Sequence, residues 1–157
     1  MADRNVESDA IGVPQLDETL EVLLLQTIEE AQQRMDDGED VAPFTALLVG
    51  ESVFEETHTG TTDECFESAQ STIEGAEGAR AYAFCYDGYV ETDDGDKDAI
   101  IAEGGMAGET AGVAVGLLYT EGEDGIEFEE EVCYIAEAPN FLAGKEPVSD
   151  IIEDDEE

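Results

Sequence analysis

The chain predicts an α+β domain in which two helices pack on one face of a roughly six-stranded, mainly antiparallel sheet, in the order α-β-β-α-β-β-β-β. Three observations carry this reading. Apolar residues recur at three- and four-residue spacing before residue 36, a helix-start signature stands at Thr61-Thr-Asp-Glu64, and everything after Arg80 changes to short β-branched and aromatic runs separated by acidic, glycine-containing turns.

The first helix is defined by Leu16, Leu20, Leu23, Leu24, Ile28, Ala31 and Met35, one buried stripe that ends near Gly38. Val22 and Leu25 widen its apolar surface, which suits cover on a second side or a contact with another chain. Pro43 then introduces FTALLV, bounded by Gly50, and SVFEETH continues it as the second arm of a hairpin. In the second helix the Thr61 hydroxyl and the Glu64 carboxylate can satisfy free backbone amides at the start, Cys65, Phe66, Ala69 and Ile73 share a face, and Gly75 and Gly78 end it. The segments AYAFCYDGYVE, DAIIAEG, TAGVAVGLLYTE and IEFEEEVCYIAE make a four-strand meander; Ile126, Phe128, Val132 and Tyr134 alternate with acids, giving one wet and one dry face.

These elements fit one domain over residues 14–142, preceded by a polar segment, 1–13, and followed by an acidic tail, 143–157, both expected to be mobile. The charge is extreme: 43 acidic residues against 5 basic ones leave a formal charge of -38, while 41% of the residues are hydrophobic, unlike a disordered acidic chain. Self-repulsion on that scale acts over a Debye length of about 30 Å at 0.01 M salt but only about 3 Å at 1 M. Together with the scarcity of lysine, Lys97 and Lys145 alone, this predicts a halophile's cytoplasmic protein whose stability depends on salt.

The same charge excludes nucleic acid as a partner, because five scattered cations supply no basic patch. No apolar run approaches the 18 or so residues of a membrane span, and MADRNVESDAIGVP lacks a secretory hydrophobic stretch, so no membrane association is expected. Cys65, Cys85 and Cys133 are odd in number and form no Cys-x-x-Cys pair, which points to reduced thiols rather than a disulfide framework or zinc ribbon.

The densest acidic cluster is Glu91-Thr-Asp-Asp-Gly-Asp-Lys-Asp98. A calcium loop needs glycine at its sixth position and glutamate at its twelfth; starting at Asp93, Asp94 or Asp96, those positions hold Asp98 and Gly104, Ala99 and Gly105, or Ile101 and Ala107. Every register fails, and Asp93-Asp94-Gly95-Asp96 reads instead as a hairpin tip. No specific metal or cofactor is expected, only non-specific association of Na, K, Mg or Ca with surface carboxylates. His58, seven residues before Cys65, could form a thiolate–imidazole pair if the chain folds back at Gly60, but Cys65 begins the dry face of its helix and reads better as a small buried hydrophobe. GGMAGETAG lacks the lysine and the strand-to-helix switch of a phosphate loop.

Three residues remain as candidate binding positions. Arg80 stands at the entry to the central strand of a chain nearly without cations, where its fork suits either a neighbouring carboxylate or an anionic ligand. Asp98 trails the acidic turn, and Glu103, followed by Gly104 and Gly105, is an acid at a strand end beside open backbone.

Pro43-Phe44, Arg80-Ala81-Tyr82-Ala83, Asp98-Ala99-Ile100 through Glu103, Leu118-Tyr119 and Ala138-Pro139-Asn140-Phe141 give the stretch from about residue 16 to 142 a layout that resembles a widespread family of small microbial α+β proteins of unknown function, here in an acidic, haloarchaeal-type version. The resemblance implies a fold and carries no activity. Where that family often shows a glutamate and a histidine beyond Glu103, this chain has Gly105 and Met106. The expected function is a non-enzymatic interaction or ligand-binding module that dimerises through sheet or helix and meets a protein or small-molecule partner. The opposing class is a small carboxylate- or metal-dependent hydrolase using Asp98 and Glu103.

Overall fold

The computed structural model describes residues 17–93, 95–123 and 125–144. The polar segment 1–13 lies outside the described residues, as does the acidic tail from residue 145. Helix α1 runs from Glu18 to Asp36. Asp17 caps it by accepting the Thr19 N–H at 2.8 Å, and Glu18 and Glu21 in the first turn suit the positive end of the helix dipole. Leu20, Leu23, Leu24, Thr27, Ile28 and Ala31 form its buried face. Strands β1, Phe44–Val49, and β2, Ser52–Thr57, turn through Gly50, whose φ of 62° favours glycine. Helix α2, Thr62–Gly75, starts with the reciprocal cap expected from its sequence: the Glu64 N–H donates to Thr61 Oγ1 at 3.1 Å and the Thr61 N–H to Glu64 Oε1 at 2.9 Å.

Five more strands follow: β3, Ala79–Thr92; β4, Gly95–Met106; β5, Gly112–Gly122; β6, Gly125–Phe128; and β7, Cys133–Ala138. All pairings are antiparallel, in the order β2-β1-β3-β4-β5-β6, with β7 also on β5. Strand β6 takes Tyr119–Gly122 of β5 and β7 takes Gly112–Gly116, so the two lie end to end and seven strands fill six positions. The single last strand expected over IEFEEEVCYIAE is therefore interrupted. A continuous strand would point Glu130 to the same dry side as Ile126, Phe128 and Val132, and the chain leaves the ladder instead. At the other end of the meander, β3 and β4 pair out to Thr92 and Gly95, and Gly95 has φ 105°, in keeping with a hairpin tip.

The two helices do not share a face, contrary to the sequence reading. Ala81, Ala83 and Cys85 of β3 pack in one cluster with Leu20, Leu23, Leu24 and Ile28 of α1, whereas the alternating Tyr82 and Phe84 pack with Ala69 and Ile73 of α2. Successive strand residues point to opposite sides, so α1 and α2 cover opposite faces of the sheet. The reason is legible in β3 itself: Ala81 through Cys85 are all buried, the unbroken apolar run of a strand covered on both sides. Small residues on the α1 side admit the leucines; aromatic ones on the other side meet the smaller α2. Helix α1 crosses so close above β4 that a Cβ on Gly104 would meet Leu24 and Leu20 side chains at 3.0 and 3.1 Å and run into the Tyr82 carbonyl oxygen. Leu24 is fully buried, and truncation to alanine at such a position typically costs about 2–5 kcal/mol.

Candidate functional site

Arg80, Asp98 and Glu103 do not converge. Arg80 Nη1 donates to the Gly50 carbonyl at 2.9 Å, tying the start of the central strand to the β1–β2 turn. Glu103 lies beside Phe84 in the ladder and accepts a 2.5 Å hydrogen bond from the Tyr86 hydroxyl on the α2 side. Burial first, then that hydrogen bond and the carboxylate charge, push the Tyr86 phenol well above its ordinary range. Asp98 is five positions away on the same strand and so points to the opposite face. Its ladder neighbours are Tyr89 and Tyr119, and the Tyr119 hydroxyl donates to Asp87 at 2.6 Å. The Asp98–Glu103 pair that a two-carboxylate hydrolase would use is not formed, because an odd spacing on a strand separates the two acids.

His58 is 2% exposed: Thr45 Oγ1 lies 2.7 Å from Nε2, Ser68 Oγ 2.9 Å from Nδ1, and the exposed Glu56 carboxylate 3.9 Å from Nδ1, on the Ser68 side. The Cys65 thiol instead points at the Gly60 carbonyl, 3.9 Å away, so the conceivable His58–Cys65 pair is replaced by a Thr45–His58–Ser68 chain. A serine on an imidazole is also the first half of a nucleophilic triad, but here the second ring nitrogen meets a fully buried threonine rather than a carboxylate. Each hydroxyl meets one ring nitrogen, so the chain of hydrogen bonds clamps α2 to β1.

The Ala138-Pro139-Asn140-Phe141 motif also has a structural role. Tyr82 donates to the Pro139 carbonyl at 3.1 Å, accepts the Phe141 N–H at 3.2 Å and stacks on the Phe141 ring. The Asn140 amide bonds the Met106 and Glu109 carbonyls, each at 2.8 Å, in space that a Cβ on Gly105 would occupy. Glycine at 105 is thus required by the strap that crosses it.

The surface best built for contact is β2. Every residue of this strand is exposed, and among the described residues none pairs with its outer edge. Val53 is 43% and Phe54 57% exposed, on opposite faces. On the α1 side Val53, with Val22, Leu23 and Leu48, lines an open groove of about 390 Å³; Val22 is 46% exposed there, in line with the wide apolar surface noted on this helix. Glu55, next but one on the same face, is an exposed residue whose carboxyl is nonetheless pushed up to about 7, first by partial desolvation, then by a hydrogen bond and repulsion from Glu30, with Arg34 opposing. Arg34 itself holds Glu30 at 2.6 Å and stacks over Phe44. Sequence reasoning recognised the hairpin but not Val53 and Phe54 as surface residues. The signal was their adjacency, since two neighbouring hydrophobes on a strand point to opposite sides.

Among the described residues no group of three or more His, Cys, Asp or Glu is placed to hold a metal ion, and no helix is long and apolar enough to cross a membrane. The chain matches no family model, no curated protein and no solved structure.

Proposed function

We propose that this chain is a non-enzymatic interaction module of a cytosol at molar salt, and that it docks through the outer edge of β2 and the Val22–Val53 groove beside it. The observation that carries the reading is the fully exposed β2 with Val53 and Phe54 on its two faces. Unpaired edges invite strand addition, and proteins that avoid it interrupt or shield them. Strand β2 has acids at Glu55 and Glu56 but no proline, lysine or bulge in its pairing with β1. At high salt those acids are screened beyond about 3 Å, whereas the apolar contacts persist. The carboxylate hydrolase, the opposing class, has no such support, since its two acids face opposite ways.

Amide exchange in about 3 M KCl tests the reading, where surface charge is screened. The outward amides of β2 are followed in the purified chain and after addition of a cell extract at the same salt. Protection in either condition, absent from the monomer and lost in Phe54→Asp, is expected. Free exchange in both would overturn it.

A further inference from the structure

The backbone of β2 determines which of its groups are available. The His58 N–H donates to the Pro43 carbonyl at 2.8 Å, so 43 and 58 form a hydrogen-bonded pair of the β1–β2 ladder. Such pairs alternate in an antiparallel ladder. With Thr45 opposite Glu56, Leu47 opposite Phe54 and Val49 opposite Ser52, the inward-bonded residues of β2 are 52, 54 and 56. Val53, Glu55 and Thr57 therefore direct their N–H and C=O groups outward.

A second strand can add antiparallel only in registers that match outward with outward residues. For a second copy of β2 these are the two-fold registers centred on a residue. Centring on Val53 sets Glu51 against Glu55 twice; centring on Glu55 or Glu56 sets that acid against itself. A parallel in-register pairing stacks each acid on its own copy. Centring on Ser52 or Thr57 overlaps the two strands at that single residue, whereas centring on Phe54 overlaps them from Ser52 to Glu56 and opposes no like charges: Glu51 meets Thr57, Glu56 meets Ser52 and Glu55 meets Val53, so all three acids of the edge face neutral residues. In a chain of charge -38 that selectivity matters, because like charges directly opposite are destabilising.

We infer that the partner of the β2 edge is a second copy of this chain, joined antiparallel about a two-fold axis at Phe54. This rests on the reading of β2 as the docking edge and adds its occupant and register. Phe54 then meets its counterpart in a non-hydrogen-bonded pair, with Cα atoms about 4.5 Å apart and side chains in contact. Val53 and Glu55 exchange backbone hydrogen bonds with the partner's Glu55 and Val53, and the two sheets become continuous.

The test uses the full chain with Cys133→Ser, which leaves two buried cysteines, Cys65 and Cys85. Phe54→Cys in that background is oxidised in about 3 M KCl, and size-exclusion and β2 amide exchange are followed on the unmodified chain up to about 1 mM. A Cα separation of about 4.5 Å lies within disulfide range, so a covalent dimer is expected from Phe54→Cys and none from Val53→Cys. Phe54→Asp is expected to weaken self-association about tenfold or more while its circular dichroism stays native. A dimer with protected β2 amides but no Phe54→Cys cross-link would overturn the register and leave the docking edge standing. A monomer at every concentration would overturn the second copy as occupant; protection appearing only in extract would then assign the edge to a different protein. Protected amides in the monomer would overturn both, since the chain would be covering its own edge.

Discussion

The Tyr86 phenol on β3 donates to the Glu103 carboxylate on β4 at 2.5 Å, a cross-strand pair on the α2 face of the sheet. The native state keeps this proton when an unfolded tyrosine would lose it, so its contribution to stability falls as pH rises past the ordinary tyrosine range near 10. Removing the charge with Glu103→Gln should move the Tyr86 titration down, read as the ultraviolet difference against Tyr86→Phe. Glu103→Ala should cost about 1–3 kcal/mol through the lost charge-assisted bond. An unshifted titration would show that the pair does not control the phenol.

Thr45→Val leaves the buried Nε2 of His58 without its partner, a loss expected at about 1–3 kcal/mol. Ser68 is only half-buried and water can replace its hydroxyl, so Ser68→Ala should cost about 1 kcal/mol or less. Urea denaturation at constant high salt compares the two. Equal losses would contradict the asymmetry of the clamp.

Glu55 gives stability a pH dependence. Its folded carboxyl titrates about 7 against 4.5 for the free group, so the native state holds a proton that the unfolded chain releases between those values. Stability from this group is therefore lost as pH rises through that window. Glu55→Gln should raise Tm at pH 8 and make no difference at pH 4. Glu55 is exposed, and screening limits the gain to about 2 °C. A larger gain at pH 4 than at pH 8 would reverse the assignment.

Gly104→Ala should destabilise the fold by about 1–3 kcal/mol or more, because the new methyl group meets a backbone carbonyl and two α1 leucines that are themselves in the core. Gly125→Ala, at a position with φ 119° but nothing within 4 Å, isolates backbone strain from crowding for comparison. Thermal melts in the same high salt rank them.

Dilution of KCl from about 4 M downward should unfold the chain cooperatively by circular dichroism, as the Debye length grows past the spacing of surface acids. Full structure at very low ionic strength would remove the halophilic reading.

Much of this architecture was legible locally. The stripe from Leu20 to Ala31, the Thr61–Glu64 box and the Gly95 turn are short-range signals, and each has its structural counterpart. What depends on the far side of a strand was harder to read. Helical periodicity does not say which face of a sheet a helix covers, and the AYAFC run of β3 is the one local sign of cover on both. The break at Glu129–Val132 required knowing which parity of residues faces the core. Asp98 and Glu103 looked like partners because they are close in sequence, yet the parity of five separates them. The partners of His58, Thr45 and Ser68, lie thirteen positions before it and ten after, beyond any local motif.

The two rims of the sheet are unlike. On one side β2 is a single uninterrupted strand; on the other, β6 and β7 divide β5 between them, with Glu129, Glu130 and Glu131 at the joint. If two copies join through β2, the rim left among the described residues for the next arrival is the divided one. Growth of the sheet then ends at a stoichiometry of two, so a crowded, salt-rich solution can favour pairing without driving the chain into filaments. The three glutamates that interrupt the last strand would act as a terminator, and straightening that rim, as by Glu130→Val, would be the change most apt to turn a closed pair into an open-ended polymer.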